Sequence, residues 1–473
     1  MAHHDDDEEV GWFTLITTYL GYAVLIFFGR VRDWSGWATG RSRYHDELNS
    51  ASSGGLVAGW ERFYTRRLFN RIQDCWARPV VSRPSIWIDV AERRFANRGM
   101  ETDWSKHQRI LNLGSYNYLG FADENWDATC GTEVRRTLDQ FGVAISRGLC
   151  TRESKLLEQE VAAFVGKEDA VLFNTGYITN AWALTKLMSK GGLIVSDSLN
   201  HTSIVNGCRA SGAKVITFAH NDAKDLARVV SLALTQGGEL PTKILVVVEG
   251  LYSMEGHVCE LQPIVKVCKE MKLALYIDEA HSIGACGPTG RGICELKQVP
   301  PSQVDVLMGT FTKSFGGLGG YVAGSSAMCN MLRTQMTDMQ PMSPVVCSQI
   351  RQALYLLRET QLGKDKLRQL KENSMFFRQE LIKMGCSVLG DEDSPIVPVM
   401  LYHPAKIAAF SRECLKHNLA VVVVGAPAVP LMGARVRFCL SASHKRQDLV
   451  YALREIRQVA IKLNIRYGRS TFG

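Results

Sequence analysis

Zinc-ligand spacing is missing from this sequence: its thirteen cysteines include no Cys-x-x-Cys pair and no Cys/His cluster, so no metal is expected. Also missing is a Gly-x-x-x-x-Gly-Lys-[Ser/Thr] run. That sets aside an ATPase, although Asp278-Glu279-Ala280-His281 matches a helicase motif. Lys and Arg are spread along the 473 residues without aromatic interleaving, and a formal charge of +8 is modest for that length. Nucleic acid is not an expected partner. The odd, unpatterned cysteines suggest reduced thiols facing the cytosol. Charge itself is absent from Val10 to Gly29, about the length needed to cross a bilayer core.

What is present supports two or three structural units, because 46% hydrophobic content over this length suffices for a sizeable core. The stretch Ala274–Lys313 is the most informative. It reads as two buried strands with a helix between them, Ala274-Leu275-Tyr276-Ile277 and Val304-Asp305-Val306-Leu307-Met308-Gly309, each ending in polar residues. Ligands of an open parallel sheet lie beyond the carboxyl ends of its strands, so Asp278, His281 and Lys313 can face one pocket. A strand-end Asp is often only an N-cap, and a lone Lys is usually a solvated surface residue. Together they suit aldehyde chemistry. A lysine can form a Schiff base once burial and neighbouring cations lower its pKa, and a carboxylate can keep a pyridine nitrogen protonated.

Upstream, Val171-Leu172-Phe173 ends in Asn174-Thr175-Gly176-Tyr177 before a helix-like run, Thr179–Met188. A strand running into Gly at a helix start is a ready phosphate cradle. Ile194-Val195-Ser196-Asp197 is a further strand, with His201 just past its end, and Ile244–Val248 is β-branched like a central parallel strand. From about Ser348 the pattern turns helical. Strands near Ile396–Leu401, Ala420–Val424 and Arg435–Leu440 then suggest a smaller C-terminal domain.

Two runs, Tyr276-Ile277-Asp278-Glu279-Ala280-His281-Ser282-Ile283-Gly284 and Gly309-Thr310-Phe311-Thr312-Lys313-Ser314-Phe315-Gly316, resemble the α-oxoamine synthases, fold-type I pyridoxal phosphate enzymes. The second run, with Ser196-Asp197-Ser198-Leu199-Asn200-His201-Thr202-Ser203-Ile204 and Val248-Glu249-Gly250-Leu251-Tyr252-Ser253-Met254-Glu255-Gly256, resembles the lysine-bearing long-chain-base subunits of eukaryotic serine palmitoyltransferase. The resemblance covers about residues 60–465. It implies an α/β fold, with a mainly parallel sheet covered by helices on both faces and a smaller C-terminal α+β domain. It implies that Lys313 carries pyridoxal phosphate and that Asp278 meets the ring nitrogen. His201 would stack on the ring face, and His281 and Thr310 would hydrogen-bond near the ring oxygen. The amides of Gly176 and Tyr177 and the Thr312 hydroxyl would hold the phosphate. Arg437 would grip the substrate carboxylate, and Tyr116 and Asn117 would lie at the substrate mouth.

The implied reaction is decarboxylative condensation of L-serine with a long-chain acyl-CoA, giving 3-ketosphinganine. The implied partner is a lysine-less long-chain-base subunit in a heterodimer, with small activating and regulatory membrane subunits. A basic surface would suit an anionic membrane face or an acyl-CoA. Rival readings are a glycine-using relative, such as one making aminolevulinate or 2-amino-3-ketobutyrate, and a silent scaffold subunit. The family pattern is broken twice. Arg147-Gly148-Leu149-Cys150-Thr151-Arg152-Glu153-Ser154-Lys155 looks short and lacks a histidine, and Met339-Gln340-Pro341-Met342-Ser343-Pro344 stands where a Ser/Thr-rich segment is expected.

The expected organisation is an acidic tail, apolar membrane helix and linker over 1–59, an amphipathic segment over 60–110, a large cofactor domain over 111–345 and a small domain over 346–473. The acid before Val10 and the bulky residues to its end argue against a signal peptide. A spanning helix and an in-plane helix remain. Arg30 and Arg32 follow the apolar run, which would leave the catalytic portion in the cytosol, on an endoplasmic reticulum membrane. Ser35–Gly59 reads as a linker, and Trp60–Cys75 as an amphipathic helix.

Overall fold

The computed structural model describes residues 11–39, 63–64, 67–96, 99–123, 125–143, 151–235, 239–336 and 340–468. Its strands, in chain order, are β1 (Trp87–Ala96), β2 (Gly99–Asn112), β3 (Asp169–Phe173), β4 (Leu193–Asp197), β5 (Lys214–Phe218), β6 (Ile244–Glu249), β7 (Ala274–Asp278), β8 (Val306–Thr310), β9 (Gly320–Gly324), β10 (Ile396–Met400), β11 (Leu419–Ala420), β12 (Val422–Val424) and β13 (Arg435–Cys439). Seven of them form one sheet in the order β3-β9-β8-β7-β6-β4-β5. The pairings from β8 to β5 are parallel, and β9 alone runs against its neighbours. The sheet is thus mixed at one edge and parallel through its centre.

Both faces of this sheet are covered, which is why its strands read as continuous apolar runs rather than alternating ones. Val246, Val247 and Val248 are completely buried, each worth roughly 1.5–3 kcal/mol of transfer free energy. Val247, Ile194, Tyr276 and Met308 pack on one side under the helices Gly176–Leu187 and Thr202–Ala210. Val246, Val248, Leu275 and Ile277 pack on the other, in a core continuous with that of the C-terminal part.

The C-terminal part holds the antiparallel sheet β10-β13-β12, while β11 pairs with β2 in a third sheet. The single strand expected near Ala420–Val424 is therefore two short ones. Buried Val421 sits where the chain leaves one sheet for the other. The leucine-rich run after Ser348 divides into two helices, Pro344–Glu359 and Gln361–Lys383, because Thr360 is extended and caps the second through Gly363 N.

At the N-terminus a 27-residue helix, Trp12–Ala38, runs past Gly29 and takes in the start of the expected linker. The linker from 40 to 59 lies outside the described residues. Thr18, Tyr22 and Gly29 face the body of the protein, while Trp12, Phe13, Ile16, Leu20, Phe27, Phe28 and Trp34 are exposed. A Cβ on Gly21 would collide with the His403 ring, so glycine is needed for this close approach. Asp33 accepts from Arg67 Nε at 2.8 Å, and the Arg30 guanidinium lies 4.5 Å from the Phe63 ring centre. The expected helix over Trp60–Cys75 is not continuous in its described part, which includes the 3-10 turns Phe69–Arg71 and Gln73–Cys75. Tertiary anchors hold these turns: Asp74 pairs with Arg412 at 2.7 Å, and the Trp76 indole donates to Val423 O at 2.8 Å.

Candidate active site

The carboxyl edge of the parallel strands delivers the polar residues. β7 ends in Asp278, the register sets Glu249 of β6 beside it, and β8 continues through Thr310 and Thr312 to Lys313. Past β4, His201 caps the helix Thr202–Ala210. A cavity of about 220 Å³ lies over this edge, lined by Lys313, Asp278, His201, His281, Gly176, Tyr177, Thr310, Thr312 and Tyr116, with Asn180, Ser203, Glu249 and Ser253 among its other walls. An adjoining cavity of about 800 Å³ shares Lys313 and Tyr116 with it. Pro84, Ala122, Val134, Leu318, Val345 and Val346 give this second space an apolar wall.

Asp278 is buried and held in place. Its Oδ1 accepts from Ala280 N at 2.8 Å and its Oδ2 from Asn180 Nδ2 at 2.6 Å. Burial pushes the Lys313 ammonium down to about 8, with Arg437 acting in the same direction and Asp278 and Glu249 opposing it. The amine therefore loses its proton near pH 8, well below an ordinary lysine, so a usable share of the neutral nucleophile is present at physiological pH. Its Nζ lies 5.4 Å from the Tyr116 ring centre, and the Arg437 guanidinium lies 4.7 Å from the same ring.

His281 donates no charge to the site. Burial and then the charges of Lys313, Arg437 and His201 hold it well below the ordinary imidazole range. Its Nδ1 is 2.8 Å from the Tyr118 hydroxyl. Burial pushes that phenol well up, so the hydroxyl keeps its proton beside the neutral imidazole. His201 is also held low, by burial first, with Lys313 and Arg437 helping and Asp278 opposing. Glu249 Oε1 accepts from His201 N at 2.5 Å. Burial, and then Asp278, push the Glu249 carboxyl well up.

The residues fit a phosphorylated pyridine. No side chain caps the helix Gly176–Leu187 at Thr175, and its first residues line the cavity. A Cβ on Gly176 would meet Thr310 Oγ1 at 2.7 Å, so only glycine lets the helix start come this close. Thr310 belongs to that side of the site. Its Oγ1 bonds Thr312 Oγ1 and Gly319 O, both at 2.9 Å, whereas His281 turns to Tyr118. Arg437, on β13, is buried and bonds Ser253 O at 3.3 Å, yet its Nε has no hydrogen-bond partner among the described residues. A buried unpaired guanidinium nitrogen suits an anionic ligand.

Asn117 does not reach this cavity. Its amide donates to Asp123 Oδ1 at 2.6 Å and to Pro84 O at 3.2 Å, which places it in the wall of the apolar opening. Within Asp278-Glu279-Ala280-His281, Glu279 turns away. It accepts from Ile293 N at 2.9 Å and from the Ser282 hydroxyl. Sequence reasoning missed Asn180, Glu249, Ser203, Ser253 and Tyr118. Glu249 carried a signal, since it ends the β-branched strand β6 as Asp278 ends β7. Asn180 had only its place one helical turn after Gly176.

Of the two broken motifs, Arg147–Cys150 and Met339 lie outside the described residues. Thr151–Lys155 opens the helix Arg152–Val165, where Thr151 and Ser154 form a capping box. Met342 is buried against Gly319, within 3.1 Å of where its Cβ would stand, and Ser343 begins the helix Pro344–Glu359. An apolar plug thus occupies this segment.

The profile of the family described as aminotransferase class I and II matches residues 108–456. The chain belongs to that family. Long chain base biosynthesis protein 2b of Arabidopsis thaliana is 46% identical to it, with 97% of this chain and 96% of the relative covered. Serine palmitoyltransferase 2 of Dictyostelium discoideum is 42% identical over 98% of this chain and 97% of its own length. Among solved structures, Sphingomonas wittichii serine palmitoyltransferase superimposes with a TM-score of 0.76 at 27% identity, covering 87% of this chain and all of that one. A structure of "SPT with PLP internal aldimine" gives 0.75 at 26% identity, over 86% of this chain and 98% of that one. These relatives place the chain in the long-chain-base 2 branch of the fold-type I pyridoxal phosphate transferases.

Proposed function

We propose that this chain is the lysine-bearing subunit of a serine palmitoyltransferase, which condenses L-serine with a long-chain acyl-CoA to 3-ketosphinganine, releasing carbon dioxide and CoA. The observation that carries this reading is one cavity lined by Lys313, its amine lowered by burial, and by the strand-end Asp278, with buried Arg437, whose Nε has no partner among the described residues, bonded to Ser253 in the cavity wall. Near-full-length likeness to serine palmitoyltransferase 2 supports the choice of substrates.

Bound pyridoxal phosphate supplies an electron-accepting ring that makes the amino acid's Cα acidic. Lys313 would hold the group at its aldehyde, and its freed Nζ would accept the Cα proton. Asp278 keeps a proton on the ring nitrogen. Gly176, Tyr177 and Thr312, joined by Thr310, hold the phosphate at the helix start. His281 would serve the ring oxygen, and His201 would cover the ring face. Arg437 orients the serine carboxylate, and stacking on Tyr116 keeps its fork in place. The apolar opening past Asn117 and Leu318 admits the acyl thioester and keeps water away.

The expected partner is a lysine-less long-chain-base subunit, with small regulatory membrane subunits around the pair. In that heterodimer the Met342 segment faces the partner's lysine-less site, so the missing Ser/Thr residues cost nothing. Membrane attachment falls to the helix Trp12–Ala38, whose apolar window Trp12–Gly36 has a mean hydropathy of 1.6. One side of this helix is docked on His403 and Phe63, which supports an in-plane arrangement on the membrane surface. We assign the membrane as that of the endoplasmic reticulum, with the site facing the cytosol.

The test is to purify the chain with and without a lysine-less partner and record cofactor absorbance with serine, glycine and alanine. A spectral shift with serine, and loss of both the bound-cofactor band and product in Lys313→Ala, is expected. Product formation by Lys313→Ala overturns the reading, and a response to glycine alone transfers it to the glycine-using relatives.

A further inference from the structure

The side chain of Asn180 is nearly inaccessible and makes three hydrogen bonds. Its Nδ2 donates to Asp278 Oδ2 at 2.6 Å and to Ser203 Oγ at 3.0 Å, and its Oδ1 accepts from the Tyr276 hydroxyl at 2.8 Å. The amide cannot be turned round, because the phenol must donate and the carboxylate must accept. With its oxygen accepting from Asn180, Ser203 directs its own proton to His201 Nδ1, 2.8 Å away, and Ser203 N also points there at 3.2 Å. Nδ1 is thus an acceptor, and the His201 proton sits on Nε2. The same helix begins at Gly176 in the cavity wall.

We propose that Asn180 is the positioning residue of this site: one amide fixes the Asp278 carboxylate and, through Ser203, the tautomer and orientation of His201, tying both to the helix that begins at Gly176. This role rests on the cofactor site of the proposed function. Three groups that must meet one ring come from three separate elements, β7, the turn after β4 and the helix Gly176–Leu187. Asn180 bonds Asp278 directly and His201 through Ser203 while belonging to the third element. Loss of such a link weakens the groups it holds by roughly ten- to a hundredfold without removing any of them.

The experiment compares Asn180→Ala, Asn180→Asp, Ser203→Ala and Asp278→Asn in the full chain with its partner and bound pyridoxal phosphate. Asn180→Ala should lower kcat about 10- to 100-fold with the serine KM within about twofold. It should also shift the pH dependence of the cofactor absorbance. In 15N-histidine spectra, the His201 signal, assigned by His201→Gln, should lose its fixed Nε2–H tautomer. Ser203→Ala should disturb only the histidine signal. Asn180→Asp keeps the shape but sets a like charge against Asp278, so it decides the matter if the alanine variant does not fold. Unchanged histidine and cofactor signals in the folded Asn180 variants overturn the proposal. If Asp278→Asn also leaves the cofactor spectrum unchanged, the site reading itself has failed.

Discussion

Two aspartates end parallel strands of the same sheet, both buried, and they do different work. Asp197 at the end of β4 is used up by its surroundings: it accepts from Leu199 N at 2.8 Å, from Asn221 N at 3.0 Å and lies 3.0 Å from His220 Nδ1. Asp278 at the end of β7 meets one amide of its own turn and the neutral Asn180, and it lines a cavity. The first locks a turn. The second is held rigid with a face left over for a ligand. Buriedness and position therefore do not mark a functional carboxylate; what marks it is partners that orient it without occupying it.

Exchanging each for asparagine breaks this comparison most sharply. Asp278→Asn should cost at least about a hundredfold in kcat, because the ring nitrogen loses its proton-holding partner, while the melting temperature stays close to that of the parent. Asp197→Asn should do the reverse, losing about 1–3 kcal/mol in denaturant unfolding with kcat per folded molecule nearly intact. An Asp197→Asn protein that folds normally but is inactive would erase the distinction.

Arg437 sharpens the contrast from the substrate side. Charge-assisted hydrogen bonds are worth about 1.5–3 kcal/mol, so Arg437→Ala should raise the serine KM by roughly ten- to a hundredfold, with less effect on cofactor affinity. Steady-state kinetics and cofactor titration separate the two. The smallest effect concerns pH. The Lys313 amine, lowered by burial to about 8, is neutral above that value and protonated below it. Capture of pyridoxal phosphate by cofactor-free protein should therefore speed up as pH rises toward 8 and then level off. A rate still climbing steeply toward pH 10 would mean an ordinary solvated lysine.

Much of this site was legible because parallel sheets place chemistry at strand ends. Asp278, His281, His201 and Lys313 could be found from the polar residues that terminate each apolar run. Gly176 was legible as a helix start that tolerates close approach. Asn117 lines the apolar opening rather than the smaller cavity, and its partners, Asp123 and Pro84, are chosen by chain folding rather than by motif. The partners of Thr310, Thr312 Oγ1 and Gly319 O, were not legible because a strand's direction does not say which neighbour its last side chain meets. The run Trp60–Cys75 has helical periodicity, but Asp74 and Trp76 are held from the C-terminal part, and tertiary anchors outweigh local preference.

By itself the sequence determined the order of strands and helices, the residue types at each strand end and the apolar character of the N-terminal helix, since these depend on local pattern and chain chemistry. Tertiary structure alone decided the rest. It stacked Arg437 of one sheet on Tyr116 beside Lys313, set His281 against the Tyr118 hydroxyl and turned Glu279 away while leaving Asp278 in place. The reason is physical: hydrogen-bond partners, burial and the proton affinities they set are properties of distance through space, which residue spacing does not encode.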